Sequence, residues 1–169
     1  FVGAPWTLIV YMFGLKKNKK TLDLEKLKKE HKNIELVLNH LNNLLCIHIK
    51  NQVQAGADVV QIFDSWAGLI PKNKIEKYCY EPNLKLVSFC KENKIPVICF
   101  PKGIKENYHN FVNIVQPDGI NIDYDLDPEW VRKNLDKVCI QGGMNPKILL
   151  LDDKIIFNEA RKYLDIFKD

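Results

Sequence analysis

Arginine is scarce in this 169-residue chain: Arg132 and Arg161 are the only two, so the net charge of +4 rests on lysine. Nucleic-acid readers interleave basic runs with arginines or aromatics. The one dense run here, Lys16, Lys17, Lys19 and Lys20, has neither and is expected to be a solvated loop. Long hydrophobic runs are also lacking. No stretch of 18 or more apolar residues exists, so no membrane span is expected. The apolar opening FVGAPWTLIVYMFG contains Pro5, lacks a basic leading region and has no small-residue cleavage site, which makes it a poor signal peptide. None of the five cysteines (Cys46, Cys79, Cys90, Cys99, Cys139) forms C-x-x-C. Their odd number and wide spacing fit a reducing cytoplasm and argue against a disulfide scaffold or a zinc ribbon. Cys46 and His48 stand two apart on a predicted helix, where side chains face different ways, so they make a poor metal pair. Neither G-x-G-x-x-G nor a phosphate-binding glycine loop occurs, which counts against a nucleotide site. No linker or low-complexity segment divides the chain, and residues 1–169 read as a single domain.

The composition is that of an ordinary globular chain, 46% hydrophobic and 27% charged. The first residue is Phe1, inside an apolar strand-like run, and the last residues, KYLDIFKD, stop inside a helical pattern. The chain therefore reads as an internal fragment of something longer. Its most informative stretch is DVVQIFDSWAGL, residues 58–69. Val59, Val60, Ile62 and Phe63 suit a strand in a packed sheet. Asp64, Ser65 and Trp66 then bring a carboxylate, a hydroxyl and an indole N–H to the strand's end. In α/β folds that is where ligand groups collect. The plainer alternative is that Asp64 or Ser65 caps a short helical turn.

The rest of the chain alternates. Residues 1–3 form a strand tail, and 6–13 a helix with Pro5 in its first turn and Gly14 at its end. Residues 22–32 are expected to form a lysine-rich helix. Ile34, Val37, Leu38, Leu41, Leu44, Leu45 and Ile49 recur at helical spacing, with Asn33 as N-cap and Gly56 as the stop. His40 and His48 on that helix read as surface or satisfied histidines. Residues 74–80 are predicted helical, and Pro82 is expected to start a new helix over 82–93. Strands follow at 95–100, 119–122 and 138–140, with helices at 107–115 and 128–134 and a last helix from Asp152 or Asp153. Asp127-Pro128-Glu129 is a helix start by all three of its residues. Strand–helix alternation with loops of ordinary length implies a parallel sheet with crossover helices. The rhythm fits an eight-stranded barrel and an open doubly wound sheet equally.

Four stretches in order, FVGAPWTLIVYM (1–12), QAGADVVQIFDSWAG (54–68), PVICFPKG (96–103) and VCIQGGMNP (138–146), together resemble uroporphyrinogen decarboxylase. GINIDYDLD (119–127) adds a weaker match. The resemblance covers essentially the whole chain. It implies an α/β (β/α)8 TIM barrel, of which this chain is roughly the middle half. It further implies a cytoplasmic homodimer with no metal or organic cofactor, acting on uroporphyrinogen III and on neither nucleic acid nor membrane. The implied reaction removes carbon dioxide from the four acetate side chains to give coproporphyrinogen III. Residue by residue, Tyr11 matches the family's active-site tyrosine and Ser65 its substrate-carboxylate serine. Phe1 and Phe63 match aromatics lining the tetrapyrrole cleft. From spacing alone, Tyr11, Phe1 and Phe63 would be core residues.

Several positions depart from the family. Its substrate-clamping arginines and pyrrole-binding aspartate belong to a segment before Phe1, and its Gly-His-Gly segment belongs after Asp169. Asp64 matches an acidic residue of the same turn and does not inherit the role of that aspartate. Gln141-Gly142-Gly143-Met144-Asn145-Pro146 stands where Q-G-N-x-D-P is more usual. Phe13-Gly14-Leu15 and lysines stand where a glutamate and glycines are common, which leaves that loop's role open. Corrinoid-dependent methyltransferases share the barrel but hold zinc on H-x-C and a later cysteine. No H-x-C occurs here. A third possibility is a barrel remnant kept for binding or assembly without catalysis.

Overall fold

The computed structural model describes residues 1–18 and 21–168; Lys19 and Lys20 of the basic run and the terminal Asp169 fall outside the described residues. The chain opens with β1 (Val2–Gly3) and α1 (Pro5–Met12), then β2 (Lys16–Asn18) and β3 (Thr21–Leu22). α2 (Leu24–Lys29) and α3 (His31–Gln54) lead into β4 (Val60–Asp64), α4 (Glu81–Glu92) and β5 (Val97–Pro101). α5 (Tyr108–Val115), β6 (Gly119–Ile122), α6 (Pro128–Asn134), β7 (Cys139–Gly142) and α7 (Asp153–Phe167) complete it.

Five strands form one parallel sheet in the order β1-β4-β5-β6-β7. That order settles what rhythm could not. A doubly wound sheet reverses its strand order to place helices on both faces. A monotonic order with right-handed crossovers keeps every helix on one side, as in a barrel wall. The wall is curved. Gln61 Nε2 on β4 donates to Gln141 Oε1 on β7 at 2.8 Å, across the two strands between them. On a flat sheet those strands would lie about 14 Å apart, too far for two glutamines and one hydrogen bond. The sheet therefore curls, with the glutamines on its concave face. The barrel is not closed within this chain, and β1 and β7 are the open edges.

The strands alternate as a half-buried sheet requires. Val60, Ile62, Val97, Cys99, Ile120 and Ile122 are buried against the helix layer. Paired residues on parallel neighbours share a face, so Gln61 and Ile98, then Phe63 and Phe100, look the other way. α3 has no side-chain cap at its start, an interaction worth about 1 kcal/mol. It is held by burial of Ile34, Leu38, Leu41, Leu45 and Ile49, each contributing about 2 kcal/mol. α7 is amphipathic but has no fully buried residue, and Phe157 and Leu164 are exposed. Arg132 Nη1 on α6 donates to the carbonyls of Ile166 and Lys168 and so fastens the end of α7.

Four local expectations need correction. Lys16–Asn18 is strand, paired antiparallel with Thr21–Leu22, because Leu15 and Leu22 are buried and anchor the hairpin through a lysine-rich sequence. The helix expected over 22–32 starts two residues later: Asp23 caps it by accepting from Lys26 N at 2.9 Å, and Leu22 belongs to β3. Asn33 does not cap α3, which begins at His31; its side chain donates to Glu30 Oε2 instead. Pro82 does not start a separate helix either. Proline lacks an N–H and crowds the carbonyl four residues back. The chain answers with a π-helical turn, Glu76–Tyr80, in which Glu81 N donates to the Glu76 carbonyl, and runs on into α4 unbroken.

Candidate active site

β4 ends in Asp64, and the chain then turns through Ser65 and Trp66 into a 3-10 turn, Ala67–Leu69. No side chain caps that turn. Asp64 points to the back of the sheet and is 1% exposed. Thr7 Oγ1 on α1 donates to Asp64 Oδ1 at 2.8 Å, and Asn83 Nδ2 on α4 donates to Oδ2 at 3.4 Å. Burial pushes the carboxyl up to about 7, against the opposing pull of those hydrogen bonds. Asp64 is thus a strut joining β4 to two helices.

The front of the same turn is different. Ser65 and Trp66 are half-buried. Trp6 Nε1 donates to the Trp66 carbonyl at 3.1 Å and fixes the backbone. The Trp66 ring meets Tyr11, on the last turn of α1, edge to face at 6.1 Å between centroids. Tyr11 is 62% exposed, so it is not a core residue. Lys16 Nζ sits over the same indole, 4.1 Å from the ring centroid. Trp66 Nε1 is buried with no hydrogen-bond partner among the described residues.

A second aromatic group lines the concave face. Phe63 touches Phe1 at 5.8 Å and Phe100 at 6.2 Å, both edge to face. Phe1 is 82% exposed, and its carbonyl accepts from Gln52 Nε2 of α3. The four residues singled out in the sequence therefore fall into two neighbouring groups, Tyr11 with Ser65–Trp66 and Phe1 with Phe63. β4 connects them. Trp66 stood out in the sequence as an indole donor at the strand's end without an assigned role; Phe100, Lys16 and the Gln61–Gln141 pair were missed. Phe100 was within reach, because VICFP laid beside VQIFD in parallel register pairs it with Phe63.

The loops after β4 and β5 are locked together. Lys102 N donates to the Asp64 carbonyl at 3.1 Å, and Gly68 N to the Lys102 carbonyl at 2.9 Å. A Cβ on Gly68 would lie 2.5 Å from the Gly103 carbonyl oxygen, so only glycine permits this approach. From β6, Asp123 Oδ2 accepts from Gly103 N at 2.6 Å and from the Tyr108 hydroxyl at 3.0 Å. Burial raises the Asp123 carboxyl above its ordinary value. A hollow of about 930 Å³ lies elsewhere, as an open apolar groove between β7 and α7.

The profile of a family described as Uroporphyrinogen decarboxylase (URO-D) matches residues 1–169. The chain belongs to the uroporphyrinogen decarboxylase family. It is 36% identical over 165 residues to the uroporphyrinogen decarboxylase of Orientia tsutsugamushi (strain Ikeda), covering 95% of this chain and 48% of that protein. It is 35% identical over 172 residues to that of Rickettsia bellii (strain RML369-C), covering 100% of this chain and 51% of that protein. The chain spans about half the length of the curated relatives it matches. What this family member contributes in the described residues is a curved, parallel barrel wall with an aromatic, donor-rich rim at the ends of its strands.

Proposed function

We propose that the protein carrying this chain removes carbon dioxide from the four acetate side chains of uroporphyrinogen III, giving coproporphyrinogen III. The observation that carries the reading is the grouping of Tyr11, Ser65 and Trp66 at the end of β4, in a chain that matches the family over residues 1–169. Protonation of a pyrrole ring carbon turns the ring into an electron sink. The acetate C–C bond then breaks and its electron pair moves into the ring, leaving an exocyclic methylene; a proton adds to that methylene in place of carbon dioxide, and the proton on the ring carbon departs to restore the pyrrole. A carboxylate beside the pyrrole N–H groups would favour the cationic intermediate. Asp64 cannot take that role from where it stands, because it faces the helices. Tyr11 acts at the reacting acetate and Ser65 holds a substrate carboxylate. Phe1 and Phe63 offer ring faces to the tetrapyrrole. The reaction asks for no metal or organic cofactor, and the complete protein is expected to work as a cytoplasmic homodimer.

The methyltransferase alternative needs a zinc thiolate open to the cleft. Cys99, the cysteine of VICF, is buried on the helix side of β5, and burial drives its thiol well above the ordinary value. That geometry disfavours the alternative. The deciding experiment is to extend the coding sequence outward at both ends and assay the complete product on uroporphyrinogen III under reducing conditions. Flanking arginines, an aspartate and a Gly-His-Gly segment, together with coproporphyrinogen III as product, are expected. Flanks without those groups, or no turnover, would make this a repurposed barrel. The 169 residues alone, with β1 and β7 open, are expected to be inactive and prone to aggregate. A cooperative monomer with turnover would overturn that expectation.

A further inference from the structure

We propose that Lys16 is a substrate-binding residue that takes one carboxylate of the anionic tetrapyrrole at the Tyr11–Trp66 corner; this rests on the decarboxylase reading above. Three observations meet there. The first is position. Lys16 opens β2, directly after the buried Leu15, whose N–H and carbonyl are both held (Leu15 N to the Val10 carbonyl at 3.0 Å, Asp23 N to the Leu15 carbonyl at 2.8 Å). Its ammonium is thereby delivered over the indole ring that Tyr11 also meets.

The second is charge balance. Among the described residues Lys16 forms no ion pair; the pairs found are Lys77 with Glu35 and Arg161 with Asp165. Of the carboxylates at the strand ends, Asp64 is buried and bonded to Thr7 and Asn83, and Asp123 accepts from Gly103 and Tyr108. Lys16 is left with no carboxylate partner among the described residues. The third is donor excess. Trp66 Nε1 is buried without an acceptor among the described residues, and the exposed Lys16 ammonium over the same ring is the donor a ligand can reach. An exposed cation over an aromatic face is attracted only weakly, and the ammonium stays free to accept a carboxylate as well. A substrate with acetate and propionate arms supplies what this corner lacks.

Lys16→Met keeps the aliphatic stem that covers the indole and removes the charge. The test compares Lys16→Met and Lys16→Arg in the complete protein, with uroporphyrinogen III as substrate. Lys16→Met is expected to raise KM about three- to tenfold with kcat within about twofold of the parent. It should also flatten the fall of kcat/KM between about 50 and about 300 mM salt. Lys16→Arg should restore both KM and the salt slope. A structural role alone would move neither the salt slope nor its rescue by arginine. Unchanged KM and salt slope in Lys16→Met, with an active parent, overturn the assignment of Lys16 and leave the decarboxylase reading standing. A parent that does not turn over uroporphyrinogen III overturns both.

Discussion

β4 sends Val60, Ile62 and Asp64 to the helices and Gln61 and Phe63 to the concave face, one residue alternating with the next. On the back every group is answered: the two aliphatics are buried, and both Asp64 oxygens accept hydrogen bonds. On the front the groups are half-answered. Phe63 meets two rings edge-on yet stays partly exposed, and the turn that follows leaves an indole N–H without a partner among the described residues. Five residues thus make a closed joint on one side and an open one on the other. On the proposed function the first serves stability and the second ligand binding, so substitutions at adjacent positions should have opposite phenotypes.

The largest effect is expected on the back. Asp64→Ala strands the Thr7 hydroxyl and loosens Asn83 at a site closed to water. The cost is about 2–3 kcal/mol, read as a lower urea midpoint of the complete protein near pH 6. A midpoint unchanged within error would show that the joint does not hold β4 to α1 and α4.

The next effect is in pH. The Asp64 carboxyl is raised by burial from 3.8 to about 7. Below about 4 it is protonated in both the folded and the unfolded chain. Between about 4 and about 7 the folded state keeps the proton that the unfolded state releases, so stability falls as pH rises. The slope approaches about 1.4 kcal/mol per pH unit and vanishes above the folded value. Asp64→Asn removes this group, so the difference in stability between parent and variant should change across that window and level off above it. A difference that is flat from pH 4 to 8 would mean that Asp64 is ionised in the fold.

On the front, Tyr11→Phe removes one hydroxyl from an exposed ring and should leave stability alone. We expect kcat to fall about tenfold or more with KM little changed. An unchanged kcat would leave Tyr11 as a wall of the cleft and no part of the chemistry.

The difference between the two faces also explains what could be read in the sequence. α3 was legible because apolar residues at 34, 38, 41, 45 and 49 point one way, and burial outweighs its missing cap. The end of β4 was legible as a place and not as a direction. A strand drawn over 58–63 leaves Asp64 in a turn, free to cap or to bind. The observed strand includes Asp64, and the pleat then turns it to the helices. One residue of boundary decided its role. The hairpin carrying Lys16 was hidden because its lysines give no strand signal and its anchors, Leu15 and Leu22, lie outside the basic run. The π-helical turn before Pro82 was hidden because proline marks a break in the hydrogen-bond ladder without saying how the chain absorbs it. Tyr11, Ser65, Phe1 and Phe63 came from the family pattern. Spacing alone would have sent Tyr11 into the core, from which its exposure removes it.

The smallest effect gives the sharpest comparison, because it changes the residue next to Asp64. Ser65 is half-buried, and on the proposed function its hydroxyl is one donor among several for a substrate carboxylate. Ser65→Ala should raise KM about threefold and shift stability by less than about 0.5 kcal/mol. Asp64→Ala should do the reverse, with a lower midpoint and, in the folded fraction, a KM close to the parent's. If Ser65→Ala instead lowers the urea midpoint as far as Asp64→Ala does, the hydroxyl is part of the joint. The division of β4 into a holding face and a binding face would then fail at the turn where the two meet.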